Sequence, residues 1–317
     1  MHIRLCTIND YPAVVTLLQH YRPSYTIEAM HYEDDQRDPK CKIQRWITEY
    51  NGEILAYAMY AQNPHMYHPR KFQIAVLIHP HYDFEDSQIS ASTLYDHVIA
   101  QLQPLDPISA MVSVKDDVIH RYHIDLLKAR GFQEVQRQCS LSLNVPMFDF
   151  TSYVETKEKL LNEGIEIKTF KELEADPNRN HKLHALENEI YQDMPFPEQT
   201  TAVNFDYFVQ NKLNSPNFLP EAYFVAIHGN EYIGLSSLEA RSGGKYLFTS
   251  LTGVKRFWRR KGVALSFKLC AISHAKSLGH AAISTICNTS NKPIYELNKR
   301  LGFIPSQVTV LLKKVFH

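Results

Sequence analysis

The stretch that decides the fold runs from Thr249 to Phe303: TSLTGVKRFWRRKGVALSFKLCAISHAKSLGHAAISTICNTSNKPIYELNKRLGF. Strand-forming residues from Tyr246 to Val254 end in a basic loop, Lys255 to Lys261, and the loop opens into a helix at Gly262. Leu265, Leu269 and Ile272 predict one apolar helical face, and Gly279 supplies a residue that closes a helix in the left-handed conformation. A second strand is expected over 281–287 and a short helix from Pro293 to Leu301.

This strand-loop-helix junction points to an anion. Backbone N–H groups in a helix's first turn have no partner inside the helix, and the dipole makes that end partly positive. Gly262, Val263 and Ala264 form that turn, and the small residues Gly262 and Ala264 leave room for a close approach. Arg259, Arg260 and Lys261 add full charges. A diphosphate is the natural guest. The plainer alternative is a basic surface loop ahead of an ordinary amphipathic helix.

The whole stretch resembles the GNAT N-acetyltransferase superfamily. The family's loop has a valine, four residues, Arg or Gln, two residues, Gly, one residue, then Gly or Ala. Here those positions are Val254, Arg259, Gly262 and Ala264. Asn288 and Asn291 follow the second strand, and Leu301-Gly302-Phe303 closes the match. The resemblance implies direct acetyl transfer from acetyl-CoA to an amine. It implies that the main chain of Thr252 to Val254 holds the thioester end between two splayed strands. Asn288 and Asn291 would contact the coenzyme arm, or Asn291 would cap the helix ahead of Pro293.

The acid and base are less directly marked. Counting back from Gly302, the family's frequent tyrosine falls on Asn298, which can hold a water but cannot act as an acid. Tyr295 lies one turn earlier and is the candidate in its place. The family's glutamate base has no counterpart in Tyr246 to Val254, so Glu239 is the candidate, with Glu187 and Asp193 behind it.

The rest of the chain repeats the order. Ile165 to Thr169 (IEIKT) mirrors Ile3 to Thr7 (IRLCT), and Gly131-Phe132 mirrors Gly302-Phe303. A hairpin at Gly229-Asn230 mirrors one at Asn51-Gly52. The expected fold class is therefore α/β (α+β), with two tandem GNAT-like domains, each a mixed, mostly antiparallel sheet flanked by helices. The boundaries expected from sequence are a degenerate domain over 1–145, a linker over 146–163 and a catalytic domain over 164–317. In the first copy, Asp83, Asp86 and Gln88 occupy the places of Arg259, Gly262 and Ala264. Acids there repel a dianion, so the first domain is not expected to bind coenzyme A.

Composition bounds the function classes. Residues 251–317 carry eleven net positive charges and the other 250 carry eleven net negative, which suits an anionic ligand. The basic residues gather at a phosphate-sized loop and no reader helix is evident, so no nucleic-acid partner is expected. Five scattered cysteines, no apolar signal core in MHIRLCTINDYP and no membrane-length apolar run predict a cytoplasmic protein without a membrane partner. No metal ligand set is expected, since His65, His68, His79 and His81 fit no common zinc spacing. The partner that the resemblance implies is an amine acceptor, small molecule or peptide, whose identity stays open along with the oligomeric state. Two alternatives remain: a coenzyme-A-binding sensor without turnover, and an aminoacyl transferase of tandem GNAT-like fold.

Overall fold

The computed structural model describes residues 2–50, 52–81, 84–241 and 246–316. Asn51 of the first hairpin and Asp83 of the acidic loop lie outside them. The described chain divides into two compact units, and the division is not sequential. One unit comprises 1–138, 197–201 and 307–317, and the other comprises 139–196 and 202–306.

The first unit opens with β1 (His2–Leu5), α1 (Tyr11–Gln19), α2 (Ile27–Asp35), β2 (Ile43–Tyr50), β3 (Glu53–Ala61) and β4 (Lys71–Ile78). It continues with α3 (Phe84–Leu102), β5 (Ser109–Lys115), α4 (Arg121–Ala129) and the start of β6 (Gln133–Asn144). Helix α2 falls in a stretch whose sequence reads as polar and mixed. Thr26 starts it by accepting a hydrogen bond from the Ala29 N–H. Alternation along the strands gives the sheet two apolar faces. Ala91, Leu94, Tyr95 and Val98 of α3 cover one, and Val14, Leu17, Leu18 and Met30 of α1 and α2 cover the other.

The second unit contains α5 (Thr156–Asn162), β7 (Ile165–Thr169), α6 (Arg179–Gln192), α7 (Phe205–Phe208), β8 (Phe218–His228) and β9 (Glu231–Arg241). Then come β10 (Tyr246–Val254), α8 (Val263–Ser277), β11 (Ala282–Asn288), α9 (Lys292–Arg300) and the start of β12 (Ile304–Val315). The stretch 193–217, which reads as irregular, holds α7 and one turn of π-helix over 209–213. Phe208 is core, and Phe205 stacks on His181 with ring centroids 4.0 Å apart.

Each unit's sheet is completed by the last strand of the other half of the sequence. The first unit's strand order is β1-β2-β3-β4-β5-β12, and the second unit's is β6-β11-β10-β9-β8-β7. β12 runs antiparallel to β5, from Thr309 opposite Lys115 to Val315 opposite Ser109. Cys139, Leu141 and Leu143 alternate inward along the part of β6 that serves the second unit.

Segment 197–201, from the middle of the chain, is tied into the first unit. The buried Glu198 carboxylate binds Lys71 and Lys313, the latter at 2.6 Å, and the Thr201 N–H donates to His65 O at 2.7 Å. Among the described residues no helix is long and apolar enough to cross a membrane, and no group of His, Cys, Asp or Glu could hold a metal ion.

Helix α8 turns differently from the sequence expectation. Val263, Phe267, Ala271, Ile272 and Ala275 are buried, whereas Leu265 and Leu269 are only half-buried. On the opposite face of the sheet α6 presses on β10 so closely that a Cβ at Gly253 would stand 2.2 Å from Ile190 Cγ2. Gly253→Ala is therefore expected to destabilise the protein by about 2 kcal/mol. In an Ile190→Ala background the Gly253→Ala change should cost less, as read from urea midpoints. Strict additivity of the two changes would show that this contact is not the cause.

Candidate functional site

β10 and β11 are parallel neighbours for three residues only. Leu247, Phe248 and Thr249 pair with Ile283, Ser284 and Thr285. Beyond that point β10 runs on to Val254 and β11 to Asn288 without further pairing between them. The separation has a local cause. Against β9, Thr249 lies opposite Leu238 but Thr252 lies opposite Ser236, so β10 carries one extra residue. Such a bulge bends the strand away from its neighbour.

Backbone direction then follows by alternation. The Lys255 N–H donates to Ile233 O at 2.8 Å, on the β9 side. The N–H and C=O of Val254, and of Thr252 two residues back, therefore point toward the gap. The Thr252 hydroxyl pairs with Ser236 Oγ at 2.8 Å.

Past Val254 a short 3-10 turn, Arg256–Trp258, leads to two left-handed residues. Arg260 has φ 68° and Gly262, the residue capping α8, has φ 88°. A non-glycine residue there costs roughly 1–2 kcal/mol. Left-handed residues beside a helix start turn successive N–H groups inward, which makes an anion nest. A side chain at Gly262 would meet nothing within 4 Å, so the approach to the helix end is open. Arg260 is exposed and, among the described residues, has no ion pair.

The two other cations are already engaged. Lys261 Nζ reaches Glu163 at 2.7 Å. Arg259 Nε donates to Val254 O at 2.9 Å, and its far end binds Asp193, which also holds Arg256 at 2.8 Å. Arg256, then Arg259, keep the Asp193 carboxyl below its usual range. Arg259 is thus a brace for the loop, a role that its sequence position did not reveal. On the expectation from the sequence that this loop holds coenzyme A, Arg259→Lys, which keeps the charge and loses the fork, should weaken that binding about tenfold by calorimetry. An unchanged affinity would mean that charge alone matters at this position.

The asparagines hold structure. Asn288 Nδ2 donates to Pro195 O at 3.1 Å, and its Oδ1 accepts from the Ser290 N–H and hydroxyl. Asn291 sits at the N-cap of α9, but its side chain makes no capping bond; Pro293 provides the first-turn geometry instead. Asn298 is fully buried with neither amide atom bonded to protein. It lies by the Cys287 thiol, whose pKa burial pushes up. Tyr295 is half-buried, with Lys299 Nζ 5.5 Å from its ring centroid.

The reserve bases are spoken for. The buried Glu187 carboxylate accepts the Tyr223 hydroxyl at 2.8 Å, and Asp193 is locked by its arginines. Glu239 remains more available. Lys212 Nζ is its neighbour at 3.5 Å, and both line a small cavity with Asn211, Phe218 and Ser237. Burial, then the nearby charges of Glu187 and Glu239, raise the Tyr191 phenol. Among the described residues no hydrogen bond joins Glu239 to Tyr295 or Asn298. Tyr191, Lys212 and Tyr223 were not singled out from sequence, because nothing in their spacing marks them.

No protein-family model and no curated protein matches this sequence. Solved structures share its fold. A tandem GNAT protein from the clavulanic acid biosynthesis pathway superposes with a TM-score of 0.72 at 15% identity, over 99% of this chain and 98% of that one. A GCN5-related N-acetyltransferase from Sphaerobacter thermophilus gives 0.67 at 16%, over 99% and 95%. A GNAT-family acetyltransferase from Colwellia psychrerythraea gives 0.59 at 13%, over 99% of both chains. These likenesses run through both halves, and each half contains a parallel strand pair that parts midway. The chain has the GNAT superfamily fold, in tandem arrangement.

Proposed function

We propose that the protein is an acetyl-CoA-dependent N-acetyltransferase, with acetyl transfer to an amine acceptor taking place in the second unit. The observation that supports this most is the bulged β10 parting from β11 directly ahead of the left-handed loop at α8. Acetyl-CoA supplies a thioester carbon that an amine can attack, with the thiolate leaving.

The chain's own groups divide the work. Arg260 and the N–H groups of Gly262, Val263 and Ala264 hold the diphosphate, while Arg259 and Lys261 fix the loop. N–H groups of Thr252 and Val254 face the gap, where one would stabilise the negative charge that builds on the carbonyl oxygen. Glu239, directly or through water, takes the proton from the acceptor amine. Tyr295 is the candidate to return a proton to the thiolate. Asn298 is a carboxamide and supplies no acid; buried with its amide unpartnered, it holds a water. Asn288 supports the site by pinning Pro195.

The rival reading, binding without turnover, draws on Asn298 standing where a tyrosine would serve as acid. A thiol-reactive dye and a panel of small-molecule and peptide amines separate the two. Steady, amine-dependent thiol release beyond one equivalent per chain supports the transferase. Saturable coenzyme binding without release supports the sensor.

A further inference from the structure

The first unit has the same parted strands, and something already sits between them. β4 pairs with β5 from Lys71–Ser109 to Ile74–Val112, after which β4 continues to Ile78 and β5 to Lys115. Ile78 is the internal counterpart of Val254. It lies opposite Ala56 as Val254 lies opposite Gly234, and the His79 N–H donates to Leu55 O at 2.8 Å as the Lys255 N–H donates to Ile233 O. By alternation, the N–H and C=O of Ile78 point into the gap.

Tyr21 takes both. Its hydroxyl donates to Ile78 O at 2.6 Å and accepts from the Ile78 N–H at 3.3 Å. The ring is flanked by Lys115 Nζ, 5.8 Å from its centroid, and by the His120 ring at 6.1 Å. Burial raises the phenol's pKa, so the donor stays protonated. Tyr21 lies two residues past the end of α1, and Asp193 lies directly after α6. In the second unit Asp193 works through Arg259, whose side chain meets the carbonyl of Val254.

We propose that Tyr21 is a built-in stopper that closes the first unit's strand gap to an amide-bearing arm such as pantetheine, and so decides which half of the chain can bind coenzyme A. An amide offers one donor and one acceptor, and the Tyr21 hydroxyl supplies the same two functions from within. The proposal rests on the second unit being the binding half.

The test follows backbone amide signals of the full-length chain while pantetheine is added. Pantetheine is neutral and lacks the nucleotide, so acids after β4 do not bias the result. In the natural protein the Val254 signal should move and that of Ile78 should not. In Tyr21→Ala both should move, with affinity at Ile78 at least about tenfold above the natural protein's. Tyr21→Phe keeps the ring and removes the hydroxyl, so the Ile78 N–H should exchange with solvent about tenfold faster.

An Ile78 response to pantetheine in the natural protein overturns the proposal, as does a silent Ile78 in folded Tyr21→Ala. If Tyr21→Ala does not fold, unchanged Ile78 exchange in Tyr21→Phe overturns it and faster exchange supports it. A Val254 signal that never moves refutes the reading of the second unit instead, while the Ile78 results judge the stopper by themselves.

Discussion

Gly262→Glu is expected to weaken coenzyme A binding at least about 100-fold. Two effects act on different quantities, strain on folding and charge on binding. Gly262 holds φ 88°, where any side chain brings roughly 1–2 kcal/mol of strain. The new carboxylate would also stand beside a dianion at the end of α8, reversing the field that the helix and Arg260 provide. At about 4 Å and an effective dielectric of about 20 the repulsion alone is about 3 kcal/mol or more, or roughly two orders of magnitude in affinity. Gly262→Ala separates the parts, since it adds the strain without the charge and should lower the urea midpoint while leaving affinity nearly unchanged. Open space around the missing Cβ means that the alanine variant collides with nothing in the fold. Calorimetric titration with coenzyme A checks both, and equal affinity in Gly262→Glu would remove the loop from the binding site.

Lys268→Met is expected to stabilise the protein by about 3 kcal/mol at pH 7. Lys268 is buried in the middle of α8, and among the described residues its ammonium has no ion pair or hydrogen bond. The Phe303 ring offers some compensation, with the centroid 5.5 Å away. Burial pushes its pKa down from 10.5 to about 8. At pH 7 the folded protein therefore carries a charge held in an apolar place, worth about 3 kcal/mol against folding. The folded state gives up this proton earlier than the unfolded chain does. Natural stability should thus rise as pH climbs from about 8 toward 10.5, and the advantage of methionine should shrink over the same range. Urea midpoints at pH 7 and pH 10 measure this. Matching midpoints at pH 7 would mean that the ammonium reaches water after all.

The junction of β10 and α8 was legible because its constraints are local. A glycine at a helix start, an apolar strand before it and a closing Gly279 with φ 72° leave few other conformations. The internal mirror was legible for the same reason: Gly131 and Gly302, read as equivalents, have φ 84° and 85°. The exchanged strands were not. β6 and β12 carry alternating apolar residues that fit any sheet, so sequence alone cannot say which sheet each one completes. Nor does the pattern of α8 reveal its buried face, since Lys268 interrupts it and Leu265 and Leu269 draw the eye to the wrong side. The site was legible only in its glycines and charges. Asp193 and Glu187 read as spare bases, and only packing shows one clamped by Arg256 and Arg259 and the other bound to Tyr223. Asn291 read as a coenzyme contact or as a cap ahead of Pro293, and its side chain makes no capping bond.

The most direct test is a crystal structure of the full-length protein with coenzyme A bound. The account predicts one molecule per chain. Its phosphates should lie against Arg260 and the first turn of α8, and its arm should pass between β10 and β11. A nucleotide lodged at the start of α3, or an arm between β4 and β5 with Tyr21 displaced, would contradict it.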